Sequence, residues 1–88
     1  MASLRKLSER FTETRADDEI VVMRLDSGDF LSLQGTAAAA WSLIDGTLDR
    51  DDLVARLAAD YSADRPKVEA ELDEFLAELE RMGLIAGD

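Results

Sequence analysis

Cysteine and histidine are both absent from this 88-residue chain. The first absence removes disulfides and thiolate chemistry. The second removes the commonest general base and the commonest transition-metal ligand, and leaves Ser27, Ser32, Thr36 and Ser42 with no imidazole to activate them. Basic residues are scarce: 10 Lys and Arg stand against 20 Asp and Glu, a net charge of −10. The excess is uneven, with five basic and five acidic groups in residues 1–25 and five against fifteen in residues 26–88. Such a surface keeps the chain in solution, repels phosphate backbones and attracts basic segments. No apolar run approaches the length of a membrane helix or a signal-peptide core, so no membrane contact is expected and a cytoplasmic location is the default. What remains is 47% hydrophobic, an ordinary globular content, in a length that makes one domain with a modest core.

The order of elements predicts an α+β domain, three strands followed by three helices. Residues 1–10 are polar and read as a flexible lead-in to a domain at 11–88. Phe11–Arg15 alternates as a short strand, Ala16-Asp17-Asp18 is a turn, and Glu19–Leu25 is the clearest strand, rich in β-branched residues. Asp26-Ser27-Gly28 forms a hairpin loop before a third strand, Asp29–Leu33. A three-residue loop with Gly28 in the left-handed region pairs Leu25 with Asp29. That register puts Val21, Met23 and Leu25 on one face with Leu31 and Leu33, and leaves Ile20, Val22, Arg24, Phe30 and Ser32 on the other. A two-residue turn at Ser27-Gly28 sets Leu31 and Leu33 opposite Val22 and Arg24 instead. The first is preferred because it leaves Arg24 outside, and under it the amides of Phe30 and Ser32 point away from the neighbouring strand.

Helical spacing recurs at Ala37, Ala40, Trp41 and Ile44, with Gly35 or Thr36 as cap and Gly46 as stop. A second helix, capped by Asp49, has the core stripe Leu53, Val54, Leu57, Ala58 and Tyr61. A third, capped by Asp64 with Pro66 in its first turn, has Val68, Leu72, Phe75, Leu76 and Leu79. Gly83 stops it, and Leu84-Ile85 folds back as a hydrophobic clamp. The last two helices resemble a helix-turn-helix, with the sheet as a wing.

No residue set supports catalysis, and neither a metal nor a cofactor is expected. Glu71, Glu74 and Glu78 align on one helix face but read as a solvated face. Asp26–Asp29 lacks the alternating ligands of a calcium loop. Gly28, Gly35 and Gly46 sit as turn and cap glycines without a phosphate-loop pattern. A winged-helix transcription factor would read DNA through the third helix, yet that helix carries Arg65 and Lys67 against Glu69, Glu71, Asp73, Glu74, Glu78 and Glu80, so no nucleic-acid partner is expected. A peptide fits better. A small sheet leaves its third strand, Asp29, Phe30, Leu31, Ser32 and Leu33, with unpaired backbone beside a helix. An extended peptide can add there as a fourth strand, against a wall of Val68, Glu71, Leu72 and Phe75. Plain core packing is the competing reading for Val68, Leu72 and Phe75. Phe30, on the outer sheet face, either covers the N-terminal segment or belongs to a binding or self-association surface. A homodimer or strand swap through the open edge is the structural-subunit alternative.

Several blocks together resemble one family: Leu25-Asp26-x-Gly28-x-Phe30-x-x-Leu33, then Thr36-Ala37, Trp41, Leu43 and Asp45-Gly46. Leu53-Val54-x-x-Leu57 through Tyr61, and Glu71-Leu72-x-x-Phe75-Leu76-x-x-Leu79-x-x-x-Gly83-Leu84-Ile85, complete the set. In this order and spacing, over roughly residues 17–86, they are similar to the PqqD-like family. Its members are recognition elements for ribosomally made, post-translationally modified peptides. The resemblance implies a winged-helix fold whose third strand and third helix clamp the leader of a precursor peptide and present its core to a separate modifying enzyme. Carried over by position, the strand is Asp29–Leu33 and the helix face Val68, Glu71, Leu72 and Phe75. Glu71 stands where the family usually has Asp, and Gln34 where it often has Asn. The founding branch, a peptide chaperone of pyrroloquinoline quinone synthesis, carries Tyr-Pro-Glu before the third strand and Cys before Asp-Gly. Here those stretches read Arg24-Leu25-Asp26 and Leu43-Ile44-Asp45-Gly46. The resemblance is nearer to stand-alone elements of lasso-peptide and related maturation systems.

Overall fold

Ile20, Val21, Val22 and Met23 are β-branched or long and apolar, and their segment, Glu19–Arg24, becomes the middle strand of the main sheet. A computed structural model describes residues 3–61 and 64–87. In chain order the elements are β1 (Leu4–Lys6), a single 3-10 turn (Ser8–Arg10), β2 (Phe11–Ala16), β3 (Glu19–Arg24), β4 (Phe30–Gln34), α1 (Gly35–Leu43), α2 (Arg50–Tyr61), α3 (Arg65–Arg81) and β5 (Ile85–Gly87). The fold is α+β: β2-β3-β4 form an antiparallel sheet in that order, and the three helices follow it.

The hairpin between β3 and β4 differs from both sequence-derived registers. Met23 faces Phe30, Val22 faces Leu31 and Ile20 faces Leu33. The Arg24 amide donates to the Asp29 carbonyl (2.8 Å) and the Gly28 amide to the Arg24 carbonyl (3.0 Å). The loop is therefore Leu25–Gly28, one residue longer than the preferred reading, with Gly28 in the left-handed region at φ 76°. One added residue turns β3 over relative to its neighbour. Ile20 and Val22, expected outside, are buried, whereas Met23 and Leu25, expected inside, are exposed. The preference rested on keeping Arg24 outside. Arg24 instead sits at the sheet rim opposite Phe11, half-buried, and extends its guanidinium to Asp26 (3.1 Å). A long stem with a charged tip tolerates that position. β4 keeps its expected faces: Leu33 is buried and Leu31 packs against the core, while Phe30 and Ser32 are exposed.

The helices start and stop where short-range chemistry directs. Asp49 accepts from the Asp52 amide (2.9 Å) while Asp52 accepts from the Asp49 amide (3.3 Å), a reciprocal cap for α2. Asp64 occupies the cap position of α3, with no side-chain cap bond, and Pro66 lies in the first turn. The end of α3 is closed by Gly83 (φ 74°), whose amide reaches the Glu80 carbonyl, while the Leu84 amide reaches that of Leu79 (both 3.0 Å). Leu84 and Ile85 then fold back, both buried, as expected of a clamp. α1 stops at Leu43, ahead of Gly46. Buried Ile44 leaves helical geometry there with ψ 100°. The expected stripes supply the core, except that Tyr61 at the end of α2 is exposed and Ala37, Ala58 and Phe75 are only partly buried. Arg50 binds Asp73 through two parallel bonds of 2.8 Å and ties α2 to α3.

That bond pair holds the Asp73 carboxyl below the usual carboxylate range. A lowered folded-state value means that the contribution is complete above the ordinary carboxylate pKa and lost as pH falls through the lowered one. Asp73→Asn should therefore bring the wild-type and variant acid-unfolding curves together at low pH and separate them slightly near neutrality, the gap being small because the pair is exposed. Circular dichroism across pH reads this.

Residues 1–10, expected to be a flexible lead-in, contain β1, which pairs with β5 so that Leu4 faces Gly87 and Lys6 faces Ile85. Leu4 is buried, and its carbonyl accepts from the Gly46 amide (2.9 Å). The Lys6 ammonium lies 4.6 Å above the Trp41 ring, and this burial lowers its pKa. Fully buried Trp41 also meets Phe11 edge-on at 5.2 Å and donates to Glu13 (3.4 Å), which joins α1 to β2 and β1. Among the described residues no helix is long and apolar enough to cross a membrane.

Candidate peptide-binding site

β4 is an outer strand of its sheet, with β3 on one side and no strand on the other among the described residues. Backbone hydrogen bonds in an antiparallel pair alternate along the chain. Because the Arg24 amide bonds to the Asp29 carbonyl, Leu31 and Leu33 turn their peptide groups toward β3. Phe30, Ser32 and Gln34 then present theirs outward. β1 and β5, the first and last strands among the described residues, pair with each other rather than with β4. Gly35, at φ 58°, makes the abrupt turn into α1 that a residue with a Cβ would adopt only under strain. The turn brings α1 back to pack against β4 and β3.

α1 packs on both β4 and α3, which have little direct packing with each other. Between α1 and α3 lies a cavity of about 140 Å³, lined by Thr36, Ala37, Ala40, Leu57, Val68, Glu71, Leu72 and Phe75. Its walls are largely apolar, with the Glu71 carboxylate as the charged member. A shallower depression along Glu71, Glu74, Phe75 and Glu78 continues outward on α3. Glu78 is paired with Arg81, one turn away.

The expected residues thus divide into two groups. Val68, Glu71, Leu72 and Phe75 meet at one cavity. Val68 and Leu72 are also buried core residues, so packing and lining are the same role for them. Asp29, Phe30, Leu31, Ser32 and Leu33 do not line that cavity. They form, or in the case of Asp29 immediately precede, the neighbouring strand. Sequence reasoning missed Thr36, Ala37, Ala40 and Leu57 as cavity residues. The available signal was the run Ala37–Ala40: side chains one carbon long cannot fill the space between two packed helices. Phe30 does not cover the N-terminal segment, being 68% exposed.

A family model described as coenzyme PQQ synthesis protein D (PqqD) matches residues 19–85. Among solved structures, TbiB1 in complex with the TbiA(beta) leader peptide has a TM-score of 0.81 and 32% identity, over 91% of this chain and 93% of that one. Lasso peptide synthetase B1 complexed with the leader peptide also has a TM-score of 0.81, at 19% identity over 96% of this chain and 98% of that one, and shares the fold. No curated protein matches.

Proposed function

The chain belongs to the PqqD family, and from that premise we propose that it is a non-catalytic adaptor that binds the leader of a ribosomally made precursor peptide and presents it to a separate modifying enzyme. The leader adds as a strand along β4. Main-chain bonds to Phe30, Ser32 and Gln34 hold it, and inward side chains enter the cavity between α1 and α3. The observations that carry this reading are the β4 edge, unpaired among the described residues, and the apolar cavity that α3 walls together with α1, the helix that packs on both β4 and α3. The 32%-identical relative solved with its leader peptide supports it. Departures at Arg24-Leu25-Asp26 and Leu43–Gly46 favour the lasso-type branch over quinone-cofactor synthesis. The adaptor works in the cytoplasm, where its precursor is made.

Filling the cavity from α1 tests the reading. Ala37→Leu places three more carbons where a leader side chain docks. Loss of one apolar anchor, about 1.5–3 kcal/mol, weakens leader binding roughly 10- to 100-fold, while the thermal midpoint stays level or rises. Calorimetry with the leader of the protein's own precursor measures the first and a melting curve the second. Undiminished affinity in a well-folded variant means that the leader does not use the cavity.

A further inference from the structure

Strand addition fixes more than the main-chain bonds. A guest residue directly opposite a host residue points to the same face of the sheet, whether the guest runs parallel or antiparallel. The β4 residues with outward peptide groups are Phe30, Ser32 and Gln34, and their side chains all lie on the face away from the helices. Guest residues opposite Leu31 and Leu33 face the helices. Those opposite Phe30 and Ser32 stand on the outer face, where no helix or cavity wall among the described residues meets them.

That outer face carries apolar surface. Met23 is 42% exposed and stands directly across from Phe30, and half-buried Val21 follows it on the same face of β3. Met23 and Phe30 form a non-hydrogen-bonded pair, the closer of the two cross-strand spacings. On this face Phe30 has a strand neighbour on one flank alone. Its other flank opens toward the position of the guest strand. Two residues along, Ser32 bonds Glu19, so the surface becomes polar and acidic there.

We propose that the outer face of β4 is a second side-chain subsite for the leader, in which Phe30, backed by Met23, holds an apolar or aromatic residue of the added strand. The proposal rests on strand addition at β4. The occupant follows from that register: the guest residue directly opposite Phe30 has its side chain beside the Phe30 ring. A β-branched or aromatic residue gains most from the contact, while the guest residue opposite Ser32 and next to Glu19 is polar or basic. The recognised leader therefore has an apolar residue facing the helices and, one step away in sequence, an apolar residue facing outward.

The test selects a phage-displayed random-peptide library against wild type, Phe30→Ser and Ser32→Pro, then measures the enriched peptides by calorimetry. Phe30 is exposed, so Phe30→Ser leaves the core intact. It should keep the apolar preference at inward positions, lose it at one outward position, and bind wild-type-selected peptides about threefold to tenfold more weakly. Unchanged preference and affinity in Phe30→Ser, with Ser32→Pro abolishing binding, would overturn the outer subsite and leave strand addition standing. Full binding by Ser32→Pro would remove strand addition itself. Sedimentation showing wild-type self-association that Phe30→Ser abolishes would assign the face to a second copy of the chain and overturn the proposal.

Discussion

Ser32→Pro should weaken leader binding by at least about 30-fold, roughly 2 kcal/mol, while the domain stays folded. The main-chain alternation explains why both halves of that result go together. The Ser32 amide takes no part in the β3–β4 ladder, so proline there breaks no bond that holds the sheet, and an edge strand accepts proline when its N–H side faces outward. The same amide is one of three that a guest strand along β4 would use. Proline removes the donor and puts its ring carbon in the path of the incoming backbone. Ser32→Ala is the control. It keeps the amide, loses the Ser32–Glu19 bond, and should bind near wild-type strength. Calorimetry on both variants decides the matter. Equal, undiminished affinities would show that no main-chain bond forms at Ser32.

Trp41→Ala should cost about 3–5 kcal/mol of folding stability. A domain of this length has roughly 4–13 kcal/mol in total, so the loss removes a large fraction of it. The size of the effect follows from the contacts. Trp41 is fully buried, meets Phe11 edge-on and lies under the Lys6 ammonium. It is the point at which α1, β2 and β1 meet, and α1 forms one wall of the cavity, so stability and binding should fall together. Urea unfolding followed by circular dichroism gives the loss, since the variant has no tryptophan to fluoresce. Trp41→Phe keeps a ring but loses the bond to Glu13 and should fall between the two. A Trp41→Ala variant with an unshifted urea midpoint would mean that the residue is not part of the core.

Much of the site could be read in the sequence. On β4, Leu31 and Leu33 alternate with Phe30 and Ser32, and that contrast assigns its two faces whatever the loop length. On α3, the spacing of Val68, Leu72 and Phe75 assigns one inward stripe, and Glu71 joins it because one helical turn separates it from Phe75. β3 offered no such contrast. Ile20, Val21, Val22 and Met23 are apolar on both faces, so the register hung on one residue of loop length, and local turn chemistry fits either choice. The cavity was hidden because it comes from what α1 lacks. Alanines score as helix and core, while the space they leave appears only once α3 is packed opposite. β1 and β5 are three residues each, too short to show a period, and they pair across almost the whole length of the chain.

The pairing of β1 with β5 also limits how the protein can be trimmed. The segment matched by the family begins at residue 19, yet Leu4 and Phe11 before it are buried. A fragment cut to that segment would lose β1 and β2 together. The far side of β3 would be stripped of its partner and join β4 as an adhesive edge, and all of β5 but Ile85 would be gone as well. Such a fragment would clump with itself before it could discriminate among leaders.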